Sequence, residues 1–141
     1  MFNWLIEGRL GKAGMQDAKD GTIPDPCHII LVAAEYEEAT VRLVDETQWL
    51  QLPMFIHAVT LTLMQLAMYD KEWPIVLMCQ QGRSRSVTVA CMAAALWHGS
   101  GYWEVWKELK AKDPDILDES PLIPLATWAF PYQFLVNKDD A

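Results

Sequence analysis

The chain has 141 residues, 52% apolar and 21% charged, enough for one ordinary hydrophobic core and too short for two full domains. A formal charge of -8 argues against a broad nucleic-acid surface, and three cysteines, Cys27, Cys79 and Cys91, with no Cys-x-x-Cys pair, point to neither a disulfide framework nor a zinc site. No run approaches the ~20 apolar residues that span a bilayer, and Met1-Phe2-Asn3-Trp4 lacks the regions of a signal peptide, so the reading is a soluble, cytoplasmic protein with no membrane partner.

Trp4 to Arg9 reads as a short strand, closed by Gly8 and by Gly11 and Gly14 beyond it, before a loop rich in charge and proline through Asp20 to Pro26. His28 to Ala33 holds four contiguous aliphatic residues and reads as a strand buried on both faces. Val41 to Val44 is a further short strand, ending at Asp45. From Pro53 to Tyr69 the residues Phe55, Ile56, Val59, Leu63, Leu66 and Ala67 recur at helical spacing, with Pro53 suited to a first turn. Ile75 to Met78 gives the next strand and Ser86 to His98 the next helix, stopped by Gly99 and Gly101. Tyr102 to Lys112 is amphipathic, with Trp103, Trp106 and Leu109 on one side, and Pro114 ends it. A last short helix is expected near Leu125 to Phe130. Residues 1–136 then form one domain and 137–141 a frayed tail.

Alternating strand and helix implies an α/β fold: a single compact domain with a central, mostly parallel twisted sheet of four to five strands flanked by helices. In such sheets ligands bind at the carboxyl ends of the strands, where Asp45 and Cys79 both fall.

The informative segment is the octet Cys79-Gln80-Gln81-Gly82-Arg83-Ser84-Arg85-Ser86, set between an apolar strand and a helix. Such a turn aims successive backbone N–H groups inward, and the helix N-terminus adds partial positive charge at the same point. A free thiol is only a few per cent ionised at neutral pH, so a nucleophile needs help from its surroundings. Lowering a thiol's pKa by about three takes ~4 kcal/mol. The helix dipole supplies roughly 0.3–2 kcal/mol of that, leaving the remainder to loop amides and Arg85. Gly82 permits a tight cradle, Arg85 offers a planar fork to two phosphate oxygens, and Ser86 places a hydroxyl near the sulfur.

The octet resembles the Cys-x5-Arg-Ser signature loop of the cysteine-dependent protein tyrosine phosphatases, and its Gly82-Arg83-Ser84-Arg85-Ser86 ending is similar to that of the dual-specificity branch. The resemblance extends weakly from about Trp4 to about Leu125. It implies a phosphatase acting on phosphotyrosine, phosphoserine and phosphothreonine in proteins through a phosphocysteine intermediate, with no cofactor and no metal. Cys79 is then the nucleophile, Arg85 and the amides of Gln80, Gln81, Gly82, Arg83 and Ser84 bind the phosphate, Ser86 assists the sulfur, and Asp45 is the general acid. Glu46 is the rival to Asp45. One departure stands out: the family usually has histidine immediately before the cysteine, and here it is Met78.

Beside this reading stand a catalytically weak phospho-binding module, suggested by Met78, and a rhodanese-like sulfurtransferase, disfavoured by Arg85-Ser86 and the upstream acid. Phosphoinositide and RNA 5′-phosphate substrates stay open, and the acidic charge favours neither. Cys91 reads as a core residue, Cys27 as a candidate disulfide partner for an oxidised Cys79, and His28, His57 and His98 as structural or exposed. Trp97, Trp103 and Trp106 read as packing residues. The sequence leaves the oligomeric state open.

Overall fold

Gly8, at a φ of 71°, turns the chain between β1 (Asn3–Ile6) and β2 (Leu10–Gly14), which pair antiparallel. The computed structural model describes residues 1–46, 49–69 and 72–141. The sheet has four strands in the order β1-β2-β4-β3, with β3 at His28–Leu31 and β4 at Ile75–Cys79. Both β2 and β3 run parallel to β4, so the sheet is parallel apart from the β1–β2 pair. The register sets Gly14 opposite Cys79 and Leu31 opposite Met78, which brings three strand ends together at one edge.

Gly11 and Gly14, expected to close the first strand, lie inside the buried second one. The reason is space. A Cβ on Gly11 would stand 2.4 Å from the Phe2 ring, and one on Gly14 2.8 Å from the Gln81 carbonyl. The expected strand at Val41 to Val44 forms only a single bridge, Val32 to Val41. Its alternation is real, since Val41 and Leu43 are buried, but its backbone takes other partners: the Val44 N–H donates to Gln51 Oε1 at 2.7 Å. The segment at His28 is buried on both faces from Ile30 to Ala33, with Ile30 and Val32 in one core and Leu31 and Ala33 in the other, but not at its start, where Ile29 is 45% exposed at the sheet edge.

One face of the sheet is covered by α2 (Leu52–Met68), α3 (Arg85–His98), α4 (Tyr102–Lys112) and α5 (Ile123–Ala129). Helix α3 is the hub, packing on β2, β4, α2 and α4. Its run Ala90, Cys91, Ala93, Ala94 and Ala95 is wholly buried, because small side chains let a helix lie close to a sheet. Gly99, at a φ of 69°, terminates it. Trp103 and Trp106 join this core, whereas Trp97 is 40% exposed beneath the Arg9 guanidinium. Among the described residues the opposite face carries α1 (Met15–Lys19) and loops, over a small cluster of Ala13, Leu31, Ala33, Val76 and Met78. The chain ends in 3-10 turns at Pro131–Phe134 and Lys138–Asp140, with the Lys138 ammonium over the Trp106 ring.

The expectation that no apolar run approaches membrane-spanning length needs correction. Trp49–Met68, 20 residues at a mean hydropathy of 1.4, is long and apolar enough by length and composition to cross a bilayer. In this fold, however, Phe55, Ala58, Val59, Thr62 and Leu66 of that segment face the core. Arg9 donates to the carbonyls of Leu66 and Tyr69 and so caps its end.

Candidate active site

Strand β4 decides what the octet can present. Alternate residues of a strand face opposite sides, so Ile75, Leu77 and Cys79 point into the large helical core and Val76 and Met78 into the small one. Met78, 2% exposed, therefore packs with residues such as Met15, Ala18 and Tyr36, on the side of the sheet away from the core that holds the thiol.

Cys79 ends β4 and is 2% exposed. Its Sγ lies 3.2 Å from Ser86 Oγ and receives the Gly82 N–H at 3.3 Å. Ser86, in the first turn of α3, has no exposed surface. Gly82 has a φ of 70°, and a Cβ there would meet the Gly14 nitrogen at 2.6 Å, so conformation and space both demand glycine. The loop is held from outside. Met15 N–H donates to the Gln80 carbonyl at 3.0 Å, Leu117 N–H to the Arg83 carbonyl at 3.0 Å, and Lys12 Nζ to the Gly82 carbonyl at 2.9 Å. Lys12 has no exposed surface and also meets Asp113 Oδ2 at 2.5 Å.

Arg85 opens α3 and is buried, its guanidinium gripped end-on by Glu35 at 2.8 and 2.7 Å. The Leu43 carbonyl takes a further Nη1 proton at 3.2 Å. Five N–H groups less these three leave Nε–H and one Nη2 proton, adjacent and parallel, as a fork for a ligand. The Arg85 hydrogen bonds hold the Glu35 carboxyl below its ordinary 4.5, against the opposing effect of burial. Glu35 in turn raises the pKa of Arg85, as do the nearby Cys79 and Asp45.

Asp45 is exposed, and the Ser84 hydroxyl donates to its Oδ1 at 2.6 Å. Because that spends the Ser84 proton, Ser120, at 2.8 Å, donates to Ser84 in turn. A cleft of about 330 Å³ is lined by Glu35, Val44, Asp45, Cys79, Gln80, Gln81, Arg83, Ser84, Arg85 and Leu117. Asp45 lines it. The backbone carbonyl of Glu46, the next residue, accepts from Gln51 Nε2 at 2.6 Å. The Ser84 side chain thus serves Asp45, leaving its backbone amide for the loop.

Glu35, Ser120, Lys12 and Asp113 were not foreseen. Glu35 follows β3 at the carboxyl edge of the sheet, and that position was the available signal; the others meet the loop only through the tertiary fold. Cys91 is fully buried, and burial pushes its thiol far up. Cys27 is half-buried against the small core, and burial raises its thiol too. His28 stacks on Tyr69, while His57 and His98 are exposed. Among the described residues no three His, Cys, Asp or Glu side chains are grouped to hold a metal.

No protein-family model and no curated protein matches the sequence. Solved structures do match in fold. The crystal structure of DUSP15 superposes with a TM-score of 0.68 at 18% identity, covering 94% of this chain and 90% of that one. The crystal structure of Tk-PTP in the active form gives 0.64 at 12% identity over 96% and 97%. With strand, thiol loop and central helix in one cleft, the chain has the fold of the dual-specificity and tyrosine phosphatases.

Proposed function

We propose that this protein is a cysteine-dependent phosphatase of the dual-specificity type, hydrolysing phosphomonoesters on tyrosine, serine and threonine of protein substrates. The observation that carries the reading is the Cys79 sulfur at the base of its loop, in contact with the Gly82 N–H and Ser86 hydroxyl and sharing one cleft with Arg85 and Asp45. The phosphate enters the loop, its oxygens meeting backbone N–H groups and the free fork of Arg85. Cys79 attacks phosphorus in line, forming an S–P bond as the P–O bond to the leaving group breaks. Asp45 gives its proton to the departing oxygen. In the second step Asp45 takes a proton from water, the water oxygen bonds to phosphorus, and the S–P bond breaks. The Ser86 hydroxyl then stabilises the released thiolate. A reducing compartment such as the cytoplasm keeps Cys79 a thiol.

The test is turnover of an aryl phosphate and of phosphotyrosine, phosphoserine and phosphothreonine peptides by wild type and Cys79→Ser. Wild type should release phosphate and form a phosphoenzyme whose S–P bond is labile to acid, and Cys79→Ser should do neither. Equal activity in both refutes the reading. Phosphopeptide binding without turnover would make the protein a phospho-binding module instead.

A further inference from the structure

The buried pair Lys12–Asp113 lies against the loop, with both residues almost wholly removed from solvent at 0% and 2% exposure. A buried ion pair is a poor source of stability, since apolar replacements of similar shape are often neutral or better. Its position suggests another use. Lys12 Nζ divides its protons between Asp113 Oδ2 and the Gly82 carbonyl. Asp113 Oδ1 receives the Asp115 N–H at 3.1 Å, fixing the start of the segment whose Leu117 N–H holds the Arg83 carbonyl.

In a trans peptide the C=O and the following N–H point to opposite sides. Anchoring the carbonyls of Gln80, Gly82 and Arg83 outward therefore turns the N–H groups of Gln81, Arg83 and Ser84 inward. The first and last of these carbonyls are held by backbone amides of Met15 and Leu117. Of these three, the Gly82–Arg83 peptide is the one held by a side chain, and it follows a glycine at a φ of 70°, where rotation meets little steric resistance. Turned over, this peptide would aim a carbonyl oxygen at the bound anion.

We propose that Lys12, oriented by Asp113, is a positioning residue that locks the Gly82–Arg83 peptide with its N–H toward the phosphate. It is not catalytic, since it meets the loop's outer side. The proposal rests on the phosphatase reading for its substrate and adds a device outside the octet that controls anion affinity.

Four proteins test it: wild type, Lys12→Met, Asp113→Asn and the double variant. Each is measured for melting temperature, inorganic phosphate affinity by calorimetry, the Arg83 amide NMR shift on adding phosphate, and aryl phosphate turnover. Removing one anion donor typically costs about 10²-fold. Lys12→Met is expected to lose phosphate affinity and kcat/KM on that order and to lose the Arg83 response. Asp113→Asn, which keeps Lys12 on the Gly82 carbonyl, should lose less. The double variant has no unpaired charge, so its melting temperature should recover above that of Lys12→Met while phosphate affinity stays low. If affinity and the Arg83 response recover with stability, the pair is merely structural and the proposal falls. Should wild type bind phosphate without turnover, the phosphatase reading fails while the affinity comparison still decides the role of Lys12. If wild type binds no phosphate, both fall.

Discussion

The thiol loop has a dry flank and a wet flank, and they are built of the same kinds of group. On the dry flank a lysine and an aspartate pair out of contact with solvent at Lys12 and Asp113; on the wet flank an arginine and a glutamate pair where the Glu35 side chain is 38% exposed. The dry pair touches the loop from behind through one carbonyl, while the wet pair leaves part of its arginine open to the cleft. Burial makes a charge an anchor, because it cannot leave its partner without a large desolvation penalty. Exposure leaves a charge available for chemistry, as proposed for Asp45. The comparison predicts that changes on the dry flank lower stability and activity together, and that changes on the wet flank lower activity with at most a small loss of stability.

The largest effect expected on the wet flank is that of Asp45→Asn. Loss of a general acid costs about 10²–10⁴-fold. It should appear in kcat with a poor leaving group, with phosphate affinity and melting temperature close to wild type. A fall in stability as large as the fall in rate would break the contrast. On the dry flank Gly82→Ala must place a side chain at a φ of 70° against the Gly14 backbone. Strain of this kind costs about 1–3 kcal/mol, so thermal unfolding should shift down and turnover should fall with it.

Glu35→Gln sharpens the contrast through pH. Charge-assisted hydrogen bonds are worth about 1.5–3 kcal/mol, so a loss of about 10-fold in kcat/KM is expected from the loosened Arg85. The folded state holds the Glu35 carboxyl below 4.5, so its contribution to stability is present above the ordinary carboxylate range and is lost as pH falls through the lowered value. Denaturant titrations of wild type and Glu35→Gln should thus differ by a small, constant amount near neutrality and converge at more acid pH. A gap that widens on acidification contradicts the assignment. The smallest effect belongs to Ser120→Ala, which removes the donor behind Ser84. One neutral hydrogen bond is worth about 0.5–1.5 kcal/mol, so a few-fold fall in kcat is expected, measured on the substrate used for Asp45→Asn.

Where a feature is local, the sequence carries it well. Helix α4 spans the Tyr102 to Lys112 expected from periodicity, and α2, α3 and β4 lie within a residue or two of expectation. The octet was legible because its thiol, glycine and arginine, Cys79, Gly82 and Arg85, lie within one short segment. β2 was misread because its glycines answer to Phe2 and to the loop around Gln81, contacts that short-range turn statistics do not contain. Val41 to Val44 was misread for the converse reason: burial alternates there without a neighbouring strand to accept a ladder. Met78 was legible as a departure from the signature loop that the octet resembles, but its orientation required the register of β4 against two unequal cores.

The sequence by itself determined an α/β domain, a phosphate-sized loop between strand and helix, and an acid upstream, because each is written in residues close along the chain. Only the tertiary structure decided that Glu35 grips Arg85, that Ser120 and Ser84 address Asp45, and that Lys12 reaches Gly82 and Asp113. Those pairings join residues 36 to 101 positions apart. A charge separated so far in sequence acquires a partner only when the sheet and helices bring the two together and exclude water from between them.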